Sequence, residues 1–354
     1  MVPLKSSTFL FAIASVMPLS KKSRNLQQFE DSGKDLFLSL FYDMLRIRLI
    51  EEGIADLYPE QEMRCPVHLC IGQEAIPVGV CAVLQKEDIV MGNHRSHGHY
   101  LAKGGDLKTM MAEIYGKATG CSKGMGGSMH LIDLSVNFLG TTPIVASIIP
   151  VAVGTAFTSW TKNEDRVTVI FLGRAATEEG VFTESLNFAA LKKLPILFVS
   201  EDNFFSVYTP LSERQPEKRE NTAIAKAYGI PAAKGDGNNI KGVYELAQEA
   251  VNRVREGHGP YFLEFETYRW REHCGPNFDN DKGYRSESDY LKWKERCPIA
   301  NFESILVENK LLDKDRINEM RQTITREFGE AVDFAKSSPF PEADSISKYL
   351  YKEN

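Results

Sequence analysis

Val167–Pro210 reads VTVIFLGRAATEEGVFTESLNFAALKKLPILFVSEDNFFSVYTP. Val167–Leu172 is a short, β-favouring run, apolar except for Thr168, the pattern of a strand buried on both faces of a parallel sheet, and Gly173 interrupts it. Glu178–Leu194 then carries apolar side chains at helical spacing (Val181, Phe182, Leu186, Ala189, Ala190), and Pro195 stops the helix. Ile196–Val199 is a second apolar run, which turns polar at Glu201-Asp202-Asn203. The three pieces predict a βαβ unit whose strands both open on one edge of a parallel sheet, where ligands collect in open α/β folds.

Composition sets wide limits. A chain of 354 residues with 43% hydrophobic content can bury a full core. A net charge of −6 gives no reason to expect nucleic acid or an anionic membrane as partner. No apolar run reaches the roughly 18 residues of a membrane span. The six cysteines form no Cys-x-x-Cys pair and no compact framework, which suits a reducing compartment. Residues 1–28 are basic and lack acids, with a short apolar core at Phe9–Met17. They read as a leader or as a disordered start, the domain proper spanning 29–345 and a tail 346–354. The expected location is the cytoplasm, or the mitochondrial matrix if 1–28 is a transit peptide.

Outward from the βαβ unit, further helices are expected at Asp35–Leu57, from Gly72 to Leu84, at Asp106–Tyr115 and at Gly242–Glu256. Strands are expected at Asp88–Met91 and Tyr261–Thr267, and Glu287–Ala335 reads as helical. Gly235-Asp236-Gly237-Asn238-Asn239 reads as a turn. After Met91 comes a basic loop holding His94, Arg95, His97 and His99; with no cysteine or carboxylate to complete a tetrahedral set, zinc is disfavoured there. Arg95 suits a diphosphate clamp, because a guanidinium gives parallel charge-assisted bonds to phosphate oxygens. Lys123-Gly124-Met125-Gly126-Gly127-Ser128 is glycine-rich, but no Gly-x-Gly-x-x-Gly follows any expected strand, which argues against a nicotinamide-dependent Rossmann enzyme.

These motifs resemble the α subunit of the thiamine diphosphate-dependent 2-oxo acid dehydrogenase first component (pyruvate, acetoin or branched-chain type). The resemblance rests on the Val167–Pro210 stretch, on His68-Leu69-Cys70-Ile71-Gly72-Gln73-Glu74-Ala75, on His94-Arg95, on the glycine-rich loop with His130, and on Thr267-Tyr268-Arg269 with His273. It covers roughly residues 30–345. It implies an α/β fold, with helices on both faces of a parallel sheet and helical extensions at both ends.

The resemblance also implies thiamine diphosphate as cofactor. His68 and His273 would stand at the reactive end. Cofactor contacts would come from His94, Arg95, Ile144, Val145, Gly173, Arg174, Ala175, Ala176, Asn203, Phe205, Val207, Arg269 and His273. Mg²⁺ would be held by Asn203 and Phe205 together with an aspartate at the end of the first strand. A β subunit in an α₂β₂ assembly would supply the glutamate that activates the cofactor. The substrate would be a small 2-oxo acid, and the acyl acceptor a lipoyl-bearing acyltransferase or another group.

The sequence departs from this pattern in three places. Arg174 stands where the metal's aspartate belongs, Asp202-Asn203 where Asn-Asn is usual, and Pro143 where glycine is usual. At about 4 Å and an effective dielectric of about 20, a guanidinium repels Mg²⁺ by roughly 8 kcal/mol. Three readings stay open at Arg174: a direct grip on the diphosphate, a non-catalytic relative that assembles with β without turnover, or an altered copy of an active enzyme.

Overall fold

The computed structural model describes residues 31–348. The reading of 1–28 as a leader therefore lies outside the described residues, as does most of the 346–354 tail. The chain enters through α1 (Asp31–Leu57), whose Phe37, Leu40, Phe41, Met44, Ile47 and Ile50 are all buried. Next come α2 (Ala75–Cys81), β1 (Ile89–Gly92), α3 (His97–Ala102), α4 (Leu107–Ile114) and β2 (Phe138–Thr141). The βαβ unit begins after α5 (Ile148–Lys162) and comprises β3 (Thr168–Gly173), α6 (Gly180–Lys192) and β4 (Ile196–Asp202). A two-residue hairpin, β5 (Phe205–Ser206) with β6 (Thr209–Pro210), leads through α7 (Leu211–Arg214) and α8 (Asn221–Ala227) to β7 (Ala232–Asp236). Then α9 (Ile240–Arg255) and β8 (Tyr261–Glu266) close the sheet, and α10 (Glu287–Glu295), α11 (Pro298–Glu308) and α12 (Lys314–Ser337) finish the chain.

The main sheet has the order β2-β1-β3-β4-β8-β7, and every pairing in it is parallel. Alternation along its central strands sends Val169, Phe171, Leu197 and Val199 into one core with α1, α2, α4 and α9. The intervening Ile170, Leu172, Ile196 and Phe198 go into a second core with α5 and α6. That is why β3 and β4 read as apolar runs: neither face meets water. The chain passes to one side of the sheet from β1 to β2 and to the other from β3 to β4, so the switch point lies between β1 and β3.

Several boundaries differ from expectation. β4 runs on through Ser200, Glu201 and Asp202, because these residues pair with Glu264, Phe265 and Glu266 of β8. The ladder overrides their low β-propensity. Gly235 and Asp236, expected in a turn, are the last residues of β7; Lys234, Gly235 and Asp236 pair with Glu264, Phe265 and Glu266. Asn239 then caps α9, accepting the Gly242 N–H at 3.3 Å. The helix expected from Glu178 begins at Gly180, and Glu178 instead ends a 3₁₀ segment, Arg174–Glu178, between β3 and α6. α2 is shorter than the expected 72–84 span: Gly72 sits at φ +97°, outside helical space. No described helix is long and apolar enough to cross a membrane.

Candidate active site

Four strand ends converge on a cavity of about 200 Å³. β1 delivers Asn93, His94 and Arg95, and β2 delivers the segment from Thr142 to Ala146. β3 supplies Gly173, Arg174, Ala175 and Ala176, and β4 supplies Glu201 and Asn203. His68, His273 and the β5–β6 hairpin, with Phe205 and Val207, complete the wall. Of the expected cofactor residues, only Arg269 is missing from this lining.

Three imidazoles meet at one end. The ring centroids of His68 and His94 are 4.7 Å apart, those of His68 and His273 5.1 Å, and those of His94 and His273 5.5 Å. Burial, reinforced by the positive charge of Arg95, lowers His68 and His273 to a pKa of about 3 and His94 to about 2. All three are therefore neutral at pH 7. Their ring nitrogens lie within 4.8 Å of one another, close enough to share a transition ion, but Arg95 beside them opposes a cation.

Arg95 is 6% exposed. Its Nη1 donates to Leu69 O at 2.8 Å and its Nη2 to His273 O at 3.1 Å, while Nη2 also lies 3.5 Å from His273 Nδ1. Its Nε–H is committed to none of these bonds. An Asx turn fixes the backbone, Arg95 N–H donating to Asn93 Oδ1 at 2.8 Å. Burial and the neighbouring Arg269 lower the Arg95 pKa to about 10, still charged at neutral pH.

The histidines of the basic loop part company. His94 faces the cavity. His97 is wholly buried between Glu51 (Nδ1 to Oε1, 2.5 Å) and Ser128 (Nε2 to Oγ, 2.7 Å), tying α1 to the glycine-rich loop. His99 stacks on Phe171 and pairs through Nε2 with Glu201 Oε2 at 3.1 Å. The glycine-rich loop itself wraps a carboxylate. Glu113 accepts backbone N–H groups of Ser122 (2.7 Å), Gly124 (2.9 Å), Gly126 (2.7 Å) and Gly127 (2.9 Å). Gly124 and Gly127 have φ of +77° and +59°, which lets successive amides point inward.

Two expectations for arginines need correction. Arg269 does not face the cavity; it is 1% exposed and clamps two loops together. Its Nη2 donates to Val207 O at 3.0 Å and to the Tyr284 hydroxyl at 2.6 Å, while Nη1 donates to Arg271 O at 2.6 Å and to Asp279 at 3.2 Å. Asp279 also pairs with Arg285 and accepts from Tyr284, so the 277–284 loop is fastened by the protein itself. Arg174 does line the cavity, yet its guanidinium is engaged by a buried cluster of protein acceptors. It is 9% exposed, with Nη1 2.5 Å from Asp202 Oδ2 and 3.4 Å from Glu264 Oε1.

Glu201, Gln73, Asn93, Met129 and Ser206 also line the cavity without having been singled out from the sequence. Glu201 carried a usable signal: a carboxylate following an apolar parallel strand. The others depend on loop paths that no local pattern reveals.

A family model of the dehydrogenase E1 component matches residues 42–344. The chain belongs to the dehydrogenase E1 component family. An E1 component α subunit of pyruvate dehydrogenase from Porphyra purpurea is 37% identical over 328 residues, covering 91% of this chain and 94% of the relative. The α subunit of acetoin:2,6-dichlorophenolindophenol oxidoreductase from Bacillus subtilis is 37% identical over 316 residues, covering 89% and 93%. A pyruvate dehydrogenase E1 α subunit from Rickettsia bellii is 34% identical over 318 residues, covering 90% and 96%. This E1 chain is thus of the α-subunit type of the thiamine diphosphate-dependent 2-oxo acid dehydrogenases, oxidoreductases acting on oxo donors, and its relatives imply a β-subunit partner.

The cavity fits an organic cofactor with polar groups. His68 Nδ1 and Gln73 Oε1 are buried on its wall without a partner, and a Cβ built on Gly173 would meet nothing within 4 Å. It does not fit Mg²⁺. The ion asks for oxygen ligands in octahedral array, usually including a carboxylate. Position 174 offers a cation instead, and Asp202, the acid beside it, has both oxygens engaged, by Arg174 and by Phe204 N–H at 2.9 Å.

Proposed function

We propose that the E1 chain holds thiamine diphosphate in this cavity and, with a β subunit in an α₂β₂ assembly, decarboxylates a small 2-oxo acid of the pyruvate or acetoin-related type. The acyl group would pass to a lipoyl-bearing acyltransferase or another acceptor. The observation that carries the reading is the convergence, at a sheet switch point, of Arg95, three neutral histidines and the Pro143–Ala146 segment on one cavity.

When bound, the cofactor supplies a nucleophilic carbon and an electron sink for the loss of CO₂. The chain's own residues do the rest. Arg95 is a buried, charged donor for an anionic group, held by Leu69 O and His273 O so that little reorganisation is needed. With an Arg95 donor at its Nδ1, His273 favours a proton on Nε2 and so offers a hydrogen-bond donor to the cavity. His68 and His94, neutral at pH 7, can donate a hydrogen bond to a developing oxyanion, and their lowered pKa values make them weak proton acceptors. Ile144 and Val145 are 69% and 51% exposed at the cavity mouth. On the neighbouring α5 and α6, Val151, Phe157, Trp160 and Leu191 are exposed as well, a patch suited to a covering subunit. The six unpaired thiols support a reducing compartment, which we place as the cytoplasm or the mitochondrial matrix.

The test is to co-purify the chain with its β subunit and supply thiamine diphosphate with pyruvate, 2-oxobutyrate or a branched 2-oxo acid. CO₂ release and reduction of an artificial dye would be followed. Release from at least one acid, lost in Arg95→Gln, is the expected result. Cofactor bound without release from any acid would count against the reading.

A further inference from the structure

We propose that the Arg174–Asp202 ion pair closes the position a divalent cation would take, so that this chain holds its diphosphate cofactor with no metal ion. The inference rests on the cofactor reading above. Its first support is a complete account of the guanidinium. Arg174 Nε donates to Gln215 Oε1 at 3.3 Å, and Nη1 donates to Asp202 Oδ2 at 2.5 Å and Glu264 Oε1 at 3.4 Å. Nη2 donates to Gln215 Oε1 at 3.2 Å and Arg219 O at 3.2 Å. An arginine has five N–H donors, and these contacts use them all.

The acceptors are closed in turn. Asp202 Oδ1 takes Phe204 N–H at 2.9 Å, and Glu264 Oε2 takes Asn221 Nδ2 at 2.5 Å. Asn203 Oδ1, an expected metal ligand, accepts Phe205 N–H at 3.3 Å. An incoming Mg²⁺ would have to strip Asp202 from Arg174 and then sit beside an unpaired guanidinium.

The second support is that the departures come as a pair. Arg174 and Asp202 stand at two of the positions where the sequence departs from the resemblance, and their side chains bond to each other. Formal charge falls by one: an aspartate with Mg²⁺ nets one positive charge, whereas the Arg174–Asp202 pair nets none. The diphosphate's charge therefore falls to Arg95, the other arginine on the cavity wall, whose Nε–H is uncommitted.

The deciding experiment is calorimetric titration of thiamine diphosphate into the chain co-purified with its β subunit, in Mg²⁺ and again after EDTA. Bound Mn²⁺ would be counted by electron paramagnetic resonance in parallel. Both would be run on wild type and on an Arg174→Asp/Asp202→Asn double variant. Wild-type affinity should differ by less than about twofold between the two conditions, with no stoichiometric Mn²⁺. In the double variant, Mg²⁺ should tighten binding by about tenfold or more, with a Mn²⁺ equivalent per chain. Wild-type binding that Mg²⁺ tightens by about tenfold or more would overturn the inference and leave the cofactor reading intact. No thiamine diphosphate bound by wild type or variant, in either condition, would overturn both. The wild-type arm decides even if the double variant does not fold.

Discussion

Arg174 shows how much one side chain can rest on others distant in sequence. Truncation in Arg174→Met would leave Asp202 and Glu264 facing each other in a buried site, where burial already raises the pKa of Glu264. Urea unfolding should show a loss of about 3–5 kcal/mol, part of it recovered when Asp202→Asn is added. The three cavity histidines make a second prediction at this scale. In the folded chain they titrate near 3, 2 and 3, against 6.5 for an unperturbed imidazole. Below pH 6.5 the unfolded chain takes up protons that the folded chain refuses, so stability should fall steadily from about pH 6.5 towards pH 3. Above about pH 7.5 they contribute little pH dependence. His94→Asn should flatten the slope in that window in thermal melts run across pH; an unchanged slope would show that His94 is charged in the folded state.

At the scale of elements, the glycine-rich loop is organised by Glu113. Glu113→Gln keeps the shape but replaces one acceptor oxygen with an amide that cannot serve amides. Hydrogen exchange at Ser122, Gly124, Gly126 and Gly127 should then quicken by roughly tenfold or more, reflecting about 1–3 kcal/mol of lost local protection, while β3 and β4 amides keep their rates. Legibility divides along the same line. The β3–α6–β4 unit could be read in advance because its apolar periodicity is local: Val169 to Leu172 and Ile196 to Val199 declare themselves. Ala232–Asp236 could not, because Lys234, Gly235 and Asp236 are strand only through their ladder to β8. Within the site, residues that the motif loops single out, such as His68, Arg95 and Asn203, lie together on the cavity wall. The direction taken by Arg174 and Arg269 was not legible. Each is aimed by acids and carbonyls (Asp202 and Glu264, or Asp279 and Val207) whose nearness exists only after folding.

For the whole molecule, the exposed apolar faces of α5 and α6 predict how the chain associates. Leu191 is 73% exposed, so Leu191→Glu should change the stability of the isolated chain by no more than about 0.5 kcal/mol, whereas Trp160→Glu should cost more because Trp160 is 45% exposed and stacks on Phe157. Together they should abolish co-elution with the β subunit on size exclusion with light scattering; retained co-elution would move the interface elsewhere. The uncovered mouth of the cavity, with Ile144 and Val145 turned to solvent, carries a consequence of its own. On the proposed function, a second polypeptide finishes the reaction chamber, and turnover becomes a matter of dosage. Specific activity should decline on dilution past the dissociation constant of the two chains, and a cell that makes either one in surplus gains nothing from the excess.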